Sequence, residues 1–214
     1  MVILYTLHGN GYIDLKDLDT YKGITCYVNS TNRCSCACTF CLRNTKEMLE
    51  SNSLWLKREP TVEMIIAEFE KYDLTAFKEV VFCGFGEPLT RHDDLMKVAK
   101  YIKEKRSDLS IRINTNGLSS ITLGRDIVPD FKGVIDTVSI SLNAPTKEEY
   151  YELTRACYGV DSFNYMLQFT KACKKYVPSV VLTVVDIIGV EKIKLCQKIA
   201  DGLGVELRVR PFEE

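Results

Sequence analysis

The sequence predicts an α/β fold organised on a parallel sheet. Three observations predict it. From residue 24 onward, β-rich runs alternate with helical patterns, giving six strands with helices between them; right-handed βαβ units produce that order. Several strands are continuously apolar, as in EVVFC and SVVLTVV, which suits a sheet covered by helices on at least one face. Glycine, asparagine, proline and cysteine collect at the C-terminal ends of these strands, the side on which parallel α/β folds assemble active sites.

The elements follow in chain order. Val2–Leu15 alternates around His8-Gly9-Asn10-Gly11 and reads as a hairpin with a glycine-rich turn. Ile24–Asn29 is a short strand that runs into a cysteine cluster. Past a cap region at Thr61, the apolar spacing of Val62, Ile65, Ile66 and Phe69 marks a helix. Strands are expected at Glu79–Cys83, Ser110–Thr115, Thr137–Ser141, Ser179–Val185 and Glu206–Arg210. Helices are expected at Leu89–Arg106, Ser119–Val128, Thr146–Arg155, Asp161–Tyr176 and Val190–Leu203.

With 214 residues, 46% of them hydrophobic, the chain can bury one good core and is short for two. A net charge of −1 gives the whole molecule no basic footprint for nucleic acid. No apolar run approaches membrane-spanning length, and the N-terminus lacks the basic start of an export signal, so the chain reads as cytoplasmic. Nine cysteines are many. Cys26, Cys83, Cys157, Cys173 and Cys196 are scattered singly and read as small buried hydrophobes.

The other four cysteines crowd between residues 34 and 41. Cys34, Cys38 and Cys41 form a CxxxCxxC spacing. Thiolates at such spacing bind soft metals and iron–sulfur clusters. Three ligands from one loop hold three corners of a cubane cluster and leave the fourth iron open. Zinc sites usually combine two separated pairs, and no second pair is present. A redox pair formed by Cys38 and Cys41 would leave Cys34 and Cys36 without a role. Cys36 is expected to be a passive neighbour.

The cysteine spacing, with Phe40 before its last member, resembles the radical S-adenosylmethionine (radical SAM) enzymes. So do Gly84-Phe85-Gly86-Glu87-Pro88, Asn114-Thr115-Asn116-Gly117 and Ser139-Ile140-Ser141-Leu142-Asn143-Ala144-Pro145, in that order. TNRCSCACTFCLRN, SLWLKREPT and VVFCGFGEP are similar to the subgroup described as TatD-associated radical SAM proteins. The resemblance implies a partial (β/α)6 TIM-like barrel over residues 24–214, with residues 1–23 as an N-terminal β-hairpin extension. It implies a 4Fe-4S cluster on Cys34, Cys38 and Cys41 that cleaves S-adenosylmethionine to a 5′-deoxyadenosyl radical, in an oxygen-sensitive enzyme. Gly84, Phe85, Gly86 and Glu87 would meet the methionyl amine, with Phe85 standing where the family's Gly-Gly-Glu-Pro motif has its first glycine. Asn114, Ser141 and Asn143 would lie near the carboxylate and ribose. Phe40, Val185 and Arg210 would flank the adenine. A flavodoxin- or ferredoxin-type electron donor and a TatD-type hydrolase are the implied partners.

The resemblance leaves the substrate open. Two alternatives stand beside hydrogen abstraction from a small molecule: a radical activase of a partner protein, and a non-catalytic iron–sulfur or zinc module. No cysteine cluster follows the last strand, so no auxiliary iron–sulfur domain is expected, and the mouth of the barrel should be closed by substrate or partner.

Overall fold

The computed structural model describes residues 1–9, 11–18, 21–45 and 53–212. Among these, β1 (Leu4–His8) pairs antiparallel with β2 (Gly11–Asp14) on one side and with β3 (Ile24–Val28) on the other. Asn10, in the expected turn, lies outside the described residues. From β3 onward the pairing is parallel, through β4 (Phe77–Phe82), β5 (Ser110–Thr115), β6 (Thr137–Ser141), β7 (Ser179–Val185) and β8 (Glu206–Arg210). The sheet order is β2-β1-β3-β4-β5-β6-β7-β8, so each parallel strand lies beside its predecessor in sequence.

Helices make the crossovers. α1 (Leu42–Thr45) and α2 (Val62–Phe69) precede β4, α3 (His92–Lys105) precedes β5, and α4 (Ser119–Leu123) precedes β6. α5 (Lys147–Thr154) and α6 (Ser162–Cys173) precede β7, and α7 (Val190–Leu203) precedes β8. The expected α/β alternation is therefore present, strand for strand. Thr61 caps α2, its hydroxyl accepting from the Met64 N–H at 3.3 Å. α3 carries Asp93 and Asp94 in its first turn and Lys103 and Lys105 in its last, matching the helix dipole. It starts three residues later than expected, because Pro88–Arg91 forms a separate 3-10 turn. α4 is a correction: it stops at Leu123, where the Gly124 and Arg125 N–H groups turn back onto the carbonyls of Ile121 and Ser120. A second short turn, Val128–Phe131, covers the rest of the expected span.

Strand register divides the sheet into two faces. One carries Cys26, Val28, Val80, Phe82, Ile111, Ile113, Val138, Ile140, Leu182 and Val184, every one fully buried against the helices. The other carries Tyr27, Glu79, Arg112, Asn114, Ser139, Ser141, Arg208 and Arg210, aligned across neighbouring strands. Among the described residues no helix is long and apolar enough to cross a membrane.

Candidate active site

The cysteine loop leaves the C-terminal end of β3 and is held from three sides. The Glu87 N–H donates to the Arg33 carbonyl at 2.7 Å. On the far side, the N–H groups of Ala37 and Thr39 donate to the carbonyls of Thr154 and Leu153, each at 2.9 Å, and Cys157 N–H donates to the Ser35 carbonyl at 2.9 Å. Beneath, Asn32 exchanges two hydrogen bonds with the Leu56 backbone, at 2.7 and 3.1 Å. Arg33 forks onto Glu59 with two bonds of 2.9 Å. Backbone fixed this way positions thiols with little remaining freedom.

The Gly-Phe-Gly-Glu segment after β4 packs against that loop closely enough to exclude side chains. A Cβ on Gly86 would stand 2.8 Å from the Arg33 carbonyl oxygen and closer still to that of Thr31. A Cβ on Gly84 would collide with the amide of Asn29, which cannot move aside because its Nδ2 is bonded to the carbonyls of Val2 and Leu54 at 3.1 and 2.7 Å. Position 85 has no such neighbour. Phe85 instead joins Tyr12 and Tyr27 against Val2, Tyr5 and Leu54, which accounts for a side chain where the resemblance expects the first glycine of Gly-Gly-Glu-Pro.

Glu87 is 3% exposed and bonded at both carboxylate oxygens. Oε1 accepts from Leu89 N–H at 3.1 Å and from the Thr115 hydroxyl at 2.7 Å, and Oε2 accepts from Asn116 N–H at 2.7 Å. It thus caps the turn that begins at Pro88 and ties the end of β4 to the end of β5. Burial, then the charge of Cys34, pushes its carboxyl up to about 7 against the pull of those donors.

These elements enclose a cavity of about 300 Å³. Cys34, Cys38, Cys41 and Phe40 line it from the cysteine loop, and Gly84, Phe85, Gly86 and Glu87 from the segment after β4. Asn114, Ser141, Asn143, Val185 and Arg210 line it from the ends of β5 to β8. The structure therefore brings all thirteen expected positions to one cavity.

The thiols differ in character. The Cys36 thiol lies within hydrogen-bonding reach of the Cys34 and Cys38 sulfurs. That contact, helped by the Cys36 N–H, Arg43 and Asn116 and opposed by burial, brings the Cys34 thiol down to about 6. Cys38 is lowered chiefly by the same contact, and Cys36, buried between the two sulfurs, is pushed far up. Cys34 thus has thiolate character near neutral pH, the form that binds metal. Among the described residues no three His, Cys, Asp or Glu side chains converge as they would on a single ion.

The donor chemistry fits an iron–sulfur cluster, and the polar rim fits a small polar ligand beside it. Asn143 is 3% exposed, has φ +58°, and its Oδ1 has no hydrogen-bond partner. The Tyr150 hydroxyl and Arg210 Nε are likewise buried and unpartnered. All three residues line the cavity.

Sequence reasoning passed over several of these positions. Asn116 looks like a plain turn residue beside Gly117. Its Nδ2 in fact reaches the Ser35 hydroxyl at 3.1 Å and stands 3.7 Å and 3.6 Å from the Cys34 and Cys36 sulfurs. Its position two residues after Asn114 at a strand end was the available signal. Cys83 lines the cavity and Cys157 is exposed, so neither is the buried hydrophobe expected; Cys26, Cys173 and Cys196 are buried.

A profile of the radical SAM superfamily matches residues 28–195. The chain belongs to the radical SAM superfamily. Radical SAM proteins are enzymes, and the family implies a 4Fe-4S cluster and S-adenosylmethionine. The chain is 28% identical over 155 residues to a Thermococcus kodakarensis protein named as a GTP 3′,8-cyclase, covering 72% of this chain and 45% of that one. It is 29% identical over 167 residues to a Methanocaldococcus jannaschii protein named as a glycyl-radical enzyme activating enzyme, covering 78% and 62%. It is 26% identical over 183 residues to the dual-specificity RNA methyltransferase RlmN of Syntrophus aciditrophicus, covering 81% and 48%. This radical SAM chain spans less than two thirds of each relative. Its fold is shared with methylornithine synthase (PylB), at TM-score 0.63 and 16% identity over 88% of this chain and 53% of that one. It is also shared with S-adenosylmethionine-bound SuiB of Streptococcus suis, at TM-score 0.61 and 17% identity over 88% and 40%.

Proposed function

We propose that this chain binds a 4Fe-4S cluster through Cys34, Cys38 and Cys41 and acts on S-adenosylmethionine bound beside it. The observation that carries the reading is the single cavity that joins those three cysteines to Glu87 and to the polar ends of β5 to β8. When bound, the cluster supplies the electron that cleaves S-adenosylmethionine to methionine and a 5′-deoxyadenosyl radical able to abstract hydrogen from a substrate. The protein's own residues do the rest. Gly84 and Gly86 let the segment after β4 pack directly on Asn29, Thr31 and Arg33 at the base of the cysteine loop, and Glu87 holds the loop ends of β4 and β5 at a fixed spacing. Glu87 has three acceptor positions filled, so any methionyl ammonium meets its remaining lone pair and the adjoining backbone carbonyls. Asn143 Oδ1 supplies an acceptor at the cavity wall that has no internal partner, and the aliphatic stem of Arg210 flanks the adenine. Ser141, Asn114, Phe40 and Val185 complete the ligand's surroundings.

In this reading residues 24–214 form a core whose sheet curls into a partial (β/α)6 barrel, with residues 1–23 as a hairpin extension on its first strand. The enzyme is cytoplasmic and oxygen-sensitive. It draws its electron from a flavodoxin- or ferredoxin-type protein and, following the subgroup resemblance, associates with a TatD-type hydrolase. A second reading, activation of a partner protein, is supported by the relative named as an activating enzyme; single rather than multiple turnover per substrate molecule separates the two.

The test is anaerobic. Protein reconstituted with iron and sulfide is given dithionite and S-adenosylmethionine, and 5′-deoxyadenosine is quantified. Nucleoside that appears with the wild type and disappears, with the bound iron, in Cys38→Ala is the expected result. A colourless protein holding stoichiometric zinc and forming no nucleoside overturns it.

A further inference from the structure

The polar face of the sheet holds more positive charge than the cavity above it uses. Arg112 on β5 is neutralised: its guanidinium forks onto Glu79 at 3.0 and 2.8 Å and also bonds Asn114 Oδ1 at 3.1 Å. Arg208 and Arg210, two residues apart on β8, point to that same face by register. Neither has a carboxylate partner among the described residues. Arg208 donates once, to the Ser139 hydroxyl at 3.0 Å, and the Nε of each is buried without an acceptor. Among the described residues the pair makes one side-chain hydrogen bond, although two guanidiniums offer ten donors. Burying the two Nε donors unpaired is costly. Of the acids facing the group, Glu79, already forked by Arg112, and Glu206, exposed at the start of β8, attract the Arg208 charge without bonding it, and Glu87 is saturated at the opposite end. Burial and repulsion from Arg112 and Arg210 hold the Arg208 guanidinium below its ordinary range, so the three charges feel one another.

We propose that Arg208 and Arg210 form the anion-binding wall of the substrate site, and that the substrate carries a phosphate group. Two guanidiniums with no bonded carboxylate among the described residues match a phosphate monoester, which bears nearly two negative charges and three acceptor oxygens at neutral pH. Planar guanidiniums engage such oxygens bidentately. Arg210 lines the cysteine-lined cavity and Arg208 does not. Arg208 lies one side-chain repeat deeper, roughly 7 Å toward the strand starts. A phosphate held there places the rest of the substrate between the arginines and the cluster loop. The proposal rests on the radical SAM reading only for where S-adenosylmethionine sits.

The test is calorimetric titration of inorganic phosphate into anaerobically reconstituted protein saturated with S-adenosylmethionine, without reductant. Phosphate should bind, and Arg208→Gln should weaken it by about tenfold or more, while Lys198→Gln on the exposed side of α7 leaves it unchanged. Thermal midpoints of the variants separate lost binding from lost fold. Absence of phosphate binding in folded wild type, equal weakening in both variants, or acetate binding as tightly as phosphate overturns the proposal. So does displacement of phosphate by S-adenosylmethionine, which would assign these arginines to that ligand's own carboxylate. The nucleoside assay is run separately, so failure of phosphate binding and failure of the radical SAM reading are distinguishable.

Discussion

The two faces of the central sheet are built from alternate residues of the same strands, yet they obey opposite rules. On the helix side of β5 stand Ile111 and Ile113, both fully buried; on the other side stand Arg112 and Asn114, half-buried and hydrogen-bonded to each other. β6 repeats the division with Val138 and Ile140 against Ser139 and Ser141. Parallel sheets usually bury apolar side chains on both faces. Here one face supplies most of the hydrophobic stabilisation, and the other carries mainly polar groups, some paired with one another and some left without a partner. Stability and chemistry are thus separated by a single residue step along each strand.

That separation can be broken by substitution. Phe82→Ala, on the helix face, should lower unfolding free energy by about 3–5 kcal/mol in denaturant titration. Glu87 comes next. Its carboxyl titrates at about 7 when folded against an ordinary 4.5. Between those values the folded chain holds a proton that the unfolded chain has released, so its contribution favours folding at low pH and is lost as pH rises through about 7. Relative to Glu87→Gln, the metal-free wild type should therefore lose up to roughly 3 kcal/mol of stability across this window. A wild type that gains stability relative to Glu87→Gln over the same window would contradict the assigned burial. Gly86→Ala should cost about 1–3 kcal/mol and also reduce iron retained after reconstitution, because the added methyl pushes the cysteine loop away. Ser141→Ala, on the polar face, should change stability by less than about 0.5 kcal/mol while lowering affinity for S-adenosylmethionine measured by equilibrium dialysis. If Ser141→Ala destabilises as much as Phe82→Ala, the two faces are not divided as described.

Much of the scaffold was legible because its punctuation is local. β5, β6, β7 and β8 begin and end where the apolar runs meet Asn116-Gly117, Asn143-Ala144-Pro145 and their counterparts. The thirteen expected site positions share one cavity because parallel strands bring their C-terminal ends together. What escaped reading was contact without a side-chain signature. The carbonyls of Leu153 and Thr154 hold the cysteine loop, and no residue type announces a carbonyl. The overrun of α4 past Gly124 came from weighing apolar spacing above a helix stop. The charge imbalance on β8 was hidden for another reason: ELRVR reads as a strand, and only register across three strands reveals that Glu79 answers Arg112 and leaves Arg208 and Arg210 unanswered.

The bonds from the cysteine loop to the end of α5 join residues 114 positions apart, Thr39 to Leu153. They set an order of maturation. While the chain is being made, the three cysteines emerge early, but the frame that holds their backbone does not exist until α5 has emerged and docked. Non-local closures of this kind form late. The thiols therefore spend the first part of the chain's life unframed, and iron delivered before residue 157 is available meets a loose peptide rather than a cradle.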